Sequence, residues 1–406
     1  MATYEFDALV VGGGPAGLSA ASAAAKGGAR VAVIEKARSI AETVRTSGVT
    51  WLPGILELGL PRDLYNPIRR WEIFSTGNEL VLEAPEPEAC VLDVRGFYQF
   101  LAKNAASLGA EIFLGACVRS ASYGGARRGV SVTASAPGGT LEFLGKVVID
   151  ASGLSTVVGR SLGFAERWER FGVGAEYEAY VERLDAEALA LMVGREYSPA
   201  GYAWVFPVAE NRARIGVGIG RPESGEDPFE RLKRLLIERP GPLGKLGRIC
   251  PIETHLGAVP NQGPRGCTVA DGALLAGDSA GQSNPLLLEG IRFAIKFGEK
   301  AGEAAGRAAE GSDASKAALG EYETFWKREV WRDFQIGLKV QREWLKLSDR
   351  EWDEELEAFK PLPAKDALEI FECRFQTRKL LGLVARHAGL ARSRTFSAIL
   401  GGLARP

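Results

Sequence analysis

The feature that most constrains this chain is a glycine-rich turn that directly follows an apolar run near the N-terminus. The stretch Asp7–Gly17 reads DALVVGGGPAG, and Gly12, Gly14 and Gly17 have the spacing GxGxxG. In a strand–turn–helix unit, such glycines form the tight turn, let the backbone approach a pyrophosphate and let the helix pack closely on the strand. The N-terminus of the next helix, predicted over residues 18–26, favours negative charge. The stretch therefore predicts a doubly wound α/β domain that binds a dinucleotide.

A second predicted strand, ARVAVIEK, ends in Glu35 and Lys36. An acidic residue about 20 residues after the glycines can accept hydrogen bonds from an adenosine ribose. The polar, helix-compatible segment that follows is expected to reach the far end of the ligand. Arg45 would meet a phosphate there, and Ser47 and Gly48 would lie near the reactive ring. A solvated helix and turn is the alternative interpretation of this segment.

Two later turns also stand directly after apolar strands. One apolar strand ends in Asp150-Ala-Ser-Gly153, and another ends in Gly277-Asp278. In a doubly wound sheet, the carboxyl ends of the strands gather around one ligand. Asp278 would then bond a ribityl hydroxyl, and the helix start after Pro285 would face a flavin pyrimidine. The alternative for either aspartate is a helix cap or a turn residue.

Arg95 stands at the start of a helical pattern, VRGFYQFLAKNAASL. A cation at this place is positioned to bind an anion, and we expect it to contact the same dinucleotide. An ion pair at the protein surface is the alternative.

Two blocks have the alternation of antiparallel sheet, and the second contains SPAGYAWVFPVAENRARIGVGIG, which reads as two strands around the turn AENR. The alternation places Tyr202, Trp204 and Phe206 on one face of the first strand. Three aromatic side chains on one face form either the core of the sheet or the wall of an apolar pocket.

The C-terminal part is predicted to be mostly helical. From Arg374 onward it contains no acidic residue. The basic residues of this tail are Arg374, Arg378, Lys379, Arg386, Arg392, Arg394 and Arg405. A basic amphipathic tail can lie on an anionic membrane surface or cap a lipid pocket. A solvated helix that packs on the sheet is the alternative.

The predicted architecture is α/β, with an FAD-binding, Rossmann-like, doubly wound domain, an inserted antiparallel-sheet substrate domain and a helical C-terminal region. The dinucleotide domain is expected to be discontinuous. The expected ranges are 1–55, 88–165 and 265–310 for the dinucleotide domain, 56–87 and 166–264 for the substrate domain, and 311–406 for the helical region.

Composition narrows the functional classes. The formal net charge of −1 over 406 residues indicates no nucleic-acid partner. The five cysteines include no CxxC pair, which argues against a zinc or iron–sulfur site and against a disulfide framework. We therefore expect no metal and a reducing, cytoplasmic location, with peripheral membrane contact through the basic tail. No uncharged apolar run reaches the roughly 18 residues of a membrane span.

The VVGGGPAG turn, Glu35, Arg95, the DASG turn and the AGDSAG segment together resemble the para-hydroxybenzoate-hydroxylase-like group of FAD-dependent oxidoreductases over residues 5–300. The Gly-Asp segment separates FAD binding in this group from NAD binding. The resemblance therefore implies FAD as the cofactor.

Within this group the chain resembles the geranylgeranyl reductase family, whose pattern is PxxYxWxFP. The matching residues are Pro199, Tyr202, Trp204, Phe206 and Pro207. This resemblance implies that the aromatic side chains line a pocket for a long isoprenoid chain. Two departures are visible. Ser47-Gly48 stands where archaeal members have a Cys-Gly pair, and the glycine-rich turn after the Asn-Pro pair is reduced to PLLLEG, which retains Gly290.

The implied reaction is the saturation of isoprenoid double bonds by hydride from reduced FAD together with protonation. No residue stands out as the proton donor, and His255 and His387, the two histidines, are both expected to be structural. Because no second GxGxxG follows a strand, the electron donor is left open among NAD(P)H, ferredoxin and a quinol. A flavin monooxygenase or halogenase-like enzyme, a redox-neutral isoprenoid cyclase and a lipid-binding protein remain as alternatives.

Overall fold

A computed structural model describes residues 2–124 and 129–403 of the chain. The described strands are β1 (Ala2–Val11), β2 (Val31–Ile34), β3 (Val49–Trp51), β4 (Tyr65–Ile68), β5 (Arg70–Phe74), β6 (Glu79–Glu83), β7 (Ala89–Leu92), β8 (Glu111–Phe113), β9 (Cys117–Tyr123), β10 (Val130–Ala136), β11 (Gly139–Asp150), β12 (Phe171–Val181), β13 (Ala188–Val193), β14 (Gly201–Ala209), β15 (Arg212–Arg221), β16 (Ile249–Pro260), β17 (Val269–Ala270) and β18 (Ala273–Leu275). The described α-helices are α1 (Pro15–Lys26), α2 (Leu52–Glu57), α3 (Val94–Ser107), α4 (Val157–Ser161), α5 (Pro228–Glu238), α6 (Ile291–Gly311), α7 (Lys316–Trp344), α8 (Asp349–Phe359), α9 (Ala364–Phe371), α10 (Thr377–Arg386) and α11 (Arg394–Leu403).

The first sheet carries the glycine-rich turn. Its strands lie in the order β17-β18-β11-β1-β2-β8, with β10 and β9 added beside β11. The pairs of β1 with β11 and β2, of β11 with β18 and of β2 with β8 are parallel. Register pairs Val11 with both Ile34 and Asp150, and Asp150 with Leu275. The turns after these strands therefore meet at one edge, and the predicted doubly wound α/β domain is confirmed.

The second sheet has the strand order β16-β12-β15-β14-β13-β5-β6. Its pairs are antiparallel except that β13 and β5 run parallel. One face buries Ala203 and Val205 with Ile215, whereas Trp204 and Phe206 belong to the core on the opposite face. The alternation predicted for β14 is confirmed. Its aromatic face shares a hydrophobic core with residues of the first sheet.

The C-terminal region is helical, as the sequence predicts. Ser315 caps α7, and Ser348 with Glu351 forms a capping box at the start of α8. Leu380 and Leu383 of α10 are buried in the core, which attaches this helix to the body of the protein. Arg405, the last basic residue of the predicted tail, lies outside the described residues. No helix within the described ranges is long and apolar enough to cross a membrane.

The segment after Glu35 is not helical between residues 36 and 48, although its composition permits a helix. Two carbonyl groups of this segment accept bonds from distant arginines, Ala41 from Arg95 and Ser47 from Arg214. Gly48 has a φ of +80°, in the left-handed region. These tertiary contacts hold the segment as a loop, because helical hydrogen bonding would withdraw the same carbonyl groups.

Candidate active site

One cavity of about 940 Å³ runs between the two sheets and the C-terminal helices. We call its two ends the polar arm, at the edge where the parallel strands end, and the apolar arm, between β14 and the C-terminal helices. The predicted cofactor residues that line the cavity are Gly12, Gly14, Glu35, Lys36, Arg45, Ser47, Gly153, Gly277, Asp278 and Gly290. Gly17, Gly48, Arg95, Asp150 and Pro285 are absent from the lining.

Two glycines of the glycine-rich turn, Gly12 and Gly17, have no room for a side chain, whereas a Cβ on Gly14 would meet open space. Gly12 has a φ of +113°, and a Cβ there would lie 2.3 Å from the carbonyl oxygen of Ala151. A Cβ on Gly17 would lie 2.0 Å from the carbonyl oxygen of Gly12, although Gly17 itself does not reach the cavity. Gly12 therefore closes the turn, and Gly17 permits the contact between α1 and β1.

Glu35 is held in place by the backbone around it. Its Oε2 accepts a hydrogen bond of 2.6 Å from the Gly13 N–H, and its Oε1 accepts one of 2.8 Å from the Ala37 N–H. Each carboxylate oxygen retains a further lone pair. The carboxylate lies beside the phosphate-binding turn, as the ribose position of a bound dinucleotide requires.

The carboxyl group of Asp278 has no hydrogen-bond partner among the described residues, and Asp278 lines the cavity. Burial raises the pKa of its carboxyl group to about 6. A buried carboxyl without a partner is costly unless a ligand supplies a donor. The Asp278 side chain fits the hydroxyl-rich ribityl chain of FAD, as the glycine turn fits its pyrophosphate and Glu35 fits its adenosine ribose.

Asp150 lies at the end of β11, where the sequence predicts it. Its carboxylate accepts bonds from the backbone N–H groups of Ser152, Val158 and Gly159 and from the hydroxyls of Ser152 and Ser279. These bonds use its acceptor capacity, and the residue is fully buried. Asp150 therefore caps the turn and α4, the alternative that the sequence left open, and its assignment as a cofactor contact stays a prediction.

Arg95 also forms a contact that the sequence left open as an alternative. Its Nη2 donates a bond of 2.7 Å to Oε1 of Glu253 on β16, and its Nε bonds the carbonyl of Ala41. The ion pair with Glu253 holds the pKa of that carboxyl below its usual range. The alternative of a surface ion pair describes Arg95 in this structure, and its contact with a bound anion stays a prediction.

The Ser47-Gly48 pair is fixed through its backbone. Arg214 of β15, with a side chain only 2% exposed, donates from Nη1 to the carbonyl oxygens of Ser47 at 2.9 Å and Leu92 at 3.0 Å. Its Nε donates to Oε2 of Glu178 at 3.0 Å. The Ser47 hydroxyl makes no bond that the structure records, and the residue lines the cavity.

The aromatic residues of β14 line the cavity where its two arms meet. The rings of Trp204 and Phe206 are stacked at 5.7 Å between centroids, and Tyr202 meets Trp204 at 5.9 Å in an edge arrangement. The Tyr202 hydroxyl donates to the carbonyl of Leu287, next to the predicted pyrimidine contact. The wall therefore joins the polar arm to the apolar arm.

Trp204 lies on a row of residues that crosses four strands. Register aligns Trp204 with Gly216, Gly216 with Glu176, and Glu176 with His255. The indole Nε1 donates to Oε2 of Glu176 at 3.0 Å, and His255 Nδ1 lies 2.9 Å from Oε1 of Glu176. A Cβ on Gly216 would be 2.5 Å from the indole, so this glycine makes room for the ring.

The apolar arm is closed by the C-terminal helices. The residues that close it are Trp344, Leu347, Trp352, Leu356, Phe359 and Phe371. Asn284 Nδ2 donates to the carbonyl of Phe371 at 2.7 Å, and Gln341 donates to the carbonyl of Pro285 at 2.6 Å. The helices that close the apolar arm are thus bonded to the loop beside the polar arm.

Sequence reasoning missed Glu176, Arg214, Gly216 and Tyr98, and it assigned His255 a structural role. Glu176 and His255 line the cavity, and so does Tyr98, whose pKa is raised by burial. The alternation of β12 places two acidic residues, Glu176 and Glu178, on its buried face, and this pattern could have identified Glu176. No signal of this kind marks the others, because their partners lie on other strands.

Comparison with known proteins gives consistent results. A family model described as FAD dependent oxidoreductase matches residues 7–176, and one described as geranylgeranyl reductase catalytic domain matches residues 172–259. Digeranylgeranylglycerophospholipid reductase 1 of Methanopyrus kandleri is 35% identical over 344 residues, which is 83% of this chain and 90% of the relative.

Two solved structures share the fold. A geranylgeranyl bacteriochlorophyll reductase-like protein of Thermoplasma acidophilum superposes with a TM-score of 0.82 at 24% identity, covering 90% of this chain and 96% of its own. A myxobacterial chondrochloren halogenase superposes with a TM-score of 0.66 at 18% identity, covering 97% and 99%.

Proposed function

This chain belongs to the geranylgeranyl reductase family of FAD-dependent oxidoreductases, and on that premise we propose that it saturates the double bonds of geranylgeranyl chains carried by a lipid. One observation supports this most directly. The cavity joins a polar arm that fits FAD to an apolar arm long enough to be lined by three separate helices, with β14 between them.

The apolar arm supports a chain-like hydrocarbon substrate. Its lining combines Trp51, Trp71, Ile73 and Leu191 with the C-terminal helices that close it. The rings of Trp51 and Trp71 are stacked at 5.5 Å. Burial of apolar surface is favourable by about 25 cal/mol for each Å² that is removed from water. The apolar arm therefore favours a long isoprenoid chain over a compact polar substrate.

FAD would be held in the polar arm by the glycine turn, Glu35 and Asp278, with the start of α6 at its other end. When bound and reduced, FAD supplies hydride to carbon. The protein contributes orientation and a dry environment. Trp204, fixed by its bond to Glu176, presents an aromatic face that can stabilise positive charge on the alkene carbon by about 0.5 to 2 kcal/mol.

The position of Ser47 supports a limited role for its side chain. Arg214 holds the carbonyl group of this residue, so a serine or a cysteine would leave the same loop geometry. We therefore propose that Ser47 shapes the cavity next to the substrate and carries no step of the reaction.

The test is anaerobic. The purified protein is loaded with FAD, reduced chemically and mixed with geranylgeranyl diphosphate or a digeranylgeranyl glycerophospholipid, while flavin absorbance and product mass are followed. Flavin reoxidation with a gain of two hydrogens per double bond is expected. Isomerisation at constant mass would indicate the redox-neutral cyclase instead, and oxygen consumption coupled to hydroxylation of an aromatic substrate would indicate the monooxygenase.

The electron donor is tested in the same assay. NADPH, a reduced ferredoxin and a quinol are each offered to the oxidised protein with substrate present. The lack of a second GxGxxG after a strand argues only against a dedicated nicotinamide-binding domain, so all three donors stay open. The donor that reduces the flavin fastest is the one that the assay identifies.

We also propose that the protein meets its lipid at an anionic membrane surface through α10. This helix exposes Arg378, Leu381 and Arg386, and neither arginine has an ion-pair partner within residues 2–124 and 129–403. Lys379 is paired with Asp366 and Glu369, and Arg394 with Glu351. Binding to vesicles containing phosphatidylglycerol, weakened by salt and by the double variant Arg378→Gln/Arg386→Gln, is the expected result. Equal binding of the variant would place the contact elsewhere.

A further inference from the structure

Three acidic or imidazole side chains lie one after another between the protein surface and the cavity. His255 lies between Glu253 and Glu176, with Nε2 3.5 Å from Oε1 of Glu253 and Nδ1 2.9 Å from Oε1 of Glu176. The Glu253 side chain is 37% exposed, whereas those of His255 and Glu176 are 3% and 5% exposed. The path therefore begins in solvent and ends in the buried wall of the cavity.

His255 Nε2 is a buried polar atom without a hydrogen-bond partner among the described residues. A buried ring nitrogen of this kind is costly unless a hydrogen-bond partner meets it. Its neighbour Glu253 is the nearest carboxylate and is turned toward it by Arg95, which bonds the same oxygen. The two ring nitrogens thus connect an outer carboxylate to an inner one.

We propose that Glu253, His255 and Glu176 deliver the proton that the reduction of an alkene requires, with Glu176 as the residue that gives it to the substrate. This proposal rests on the proposed function. The Glu176 O–H bond breaks, and a C–H bond forms at one alkene carbon. The other carbon receives hydride from reduced FAD with its electron pair. The net change is the addition of two hydrogens, and Glu176 is left as a carboxylate.

The contacts around Glu176 hold its side chain in the cavity wall. Its carboxylate accepts a hydrogen bond from Trp204 Nε1 and faces His255, and Arg214 Nε lies 3.9 Å from its Oε1. His255 then returns a proton to Glu176 through Nδ1 and takes one from the Glu253 side through Nε2.

The other titratable residues that line the apolar side of the cavity are already engaged. Glu289 accepts from Thr50 and pairs with Arg292. Glu355 accepts from the hydroxyls of Ser393 and Thr395. The hydroxyl of Tyr202 donates to a backbone carbonyl. Tyr98 and Asp278 are the competitors, because neither side chain has a hydrogen-bond partner among the described residues and both line the same cavity.

The experiment uses single-turnover reoxidation of the pre-reduced, FAD-loaded protein by substrate. Glu176→Gln keeps an acceptor for Trp204 but has no proton to release, and His255→Gln interrupts the path. Each is expected to bind FAD like the wild type and to slow reoxidation by at least about 100-fold, the lower range of general acid catalysis. His387→Gln, outside the cavity, serves as the matched histidine control.

Two readouts separate proton delivery from packing. The wild-type rate is expected to fall as the pH rises and to show a solvent deuterium isotope effect, and both are expected to change in Glu253→Gln, which leaves the buried pair intact. The charged groups around the pair are Arg214 on β15, Glu178 on β12, Glu253 on β16 and Arg95 on α3.

A third readout does not depend on turnover. The chain has two histidines, so ¹⁵N-histidine labelling gives two sets of ring signals, which His387→Gln assigns. Glu253→Gln and Glu176→Gln are expected to shift the signals of His255 alone. If those signals are indifferent to both variants, the path does not exist in solution and the proposal is overturned.

The remaining outcomes of the reoxidation experiment also test the proposal. If the wild type is not reoxidised by any geranylgeranyl substrate, the proposed function fails and this proposal fails with it. If the wild type reacts and the folded Glu176→Gln and His255→Gln proteins react within threefold of it, the proposal alone is overturned. A large loss in Tyr98→Phe without a loss in Glu176→Gln would assign the proton to Tyr98.

Discussion

Arg214 donates a hydrogen bond of 2.9 Å from Nη1 to the carbonyl oxygen of Ser47, across 167 positions of sequence. The bond ties β15 of the second sheet to the loop that borders the polar arm. The guanidinium fork serves Leu92 and Glu178 at the same time, so one buried side chain fixes three elements. The position of the polar arm relative to the aromatic wall of β14 therefore depends on Arg214.

We predict that Arg214→Lys weakens FAD binding at least tenfold and lowers the free energy of unfolding. An ammonium cannot reproduce the fork, and removing a partner from a buried pair costs about 3 to 5 kcal/mol. FAD titration and chemical denaturation measure the two effects. Arg212→Lys, at a more exposed arginine paired with the same glutamate, should change stability by no more than about 1 kcal/mol.

Ser47→Cys is expected to leave FAD affinity and stability unchanged. The loop is held by the backbone carbonyl of this residue, which both side chains leave in place. Titration of the apoprotein with FAD and a thermal melt provide the measurement. A loss of FAD binding would show that the hydroxyl group contributes a contact of its own.

Gly216→Ala should destabilise the protein and disturb the wall of the cavity. A methyl group there would lie 2.5 Å from the Trp204 ring and 2.6 Å from Cβ of Glu176. Overpacking of this kind costs about 1 to 3 kcal/mol, and displacement of the indole would raise KM for the isoprenoid more than it lowers FAD affinity. Denaturation curves and substrate kinetics test both parts. Gly218→Ala is the matched control, because its nearest contact with the same ring is 3.5 Å.

Asp278→Asn should stabilise the apoprotein above pH 6 while weakening FAD binding. Burial raises the pKa of the carboxyl to about 6 from the model-peptide value of 3.8. The contribution of the carboxyl to stability is therefore fully present below about pH 4 and is lost as the pH rises through 6. Since each pKa unit corresponds to about 1.4 kcal/mol, the asparagine variant should gain more than 1 kcal/mol at pH 7.5. Thermal melts of both apoproteins at pH 4.5 and 7.5 give the comparison. Equal pH dependence of the two would contradict the assignment.

Leu356→Phe should shorten the apolar arm. Leu356 lies on α8, is 4% exposed and lines the cavity. A larger ring is expected to reduce kcat/KM for geranylgeranyl substrates several-fold while a geranyl substrate is less affected, because only the longer chain reaches this depth. Competition between the two chain lengths, followed by product mass, is the measurement. Ile237→Phe, at an exposed position of α5 outside the cavity lining, should leave the ratio unchanged.

The sequence by itself determined the features that depend on neighbours along the chain. The GxGxxG turn, Glu35 at the end of β2, the alternation of β14 and the helical C-terminal region all follow from short-range patterns, since strand and helix periodicity are local properties. For the same reason the sequence identified Asp150 and Asp278 as residues at strand ends, but it could not separate a helix cap from a residue that faces a ligand.

Tertiary structure decided which of these side chains reach the cavity. His255 pairs with Glu176 across 79 positions and Trp204 bonds Glu176 across 28, and only strand register brings them into one row. Arg95 forms an ion pair because strand β16 places Glu253 next to it. Residues 36–48 form a loop rather than a helix, because carbonyl groups of this segment accept hydrogen bonds from Arg95 and Arg214. Contacts of this kind depend on how sheets pack, and packing is a property of the whole chain.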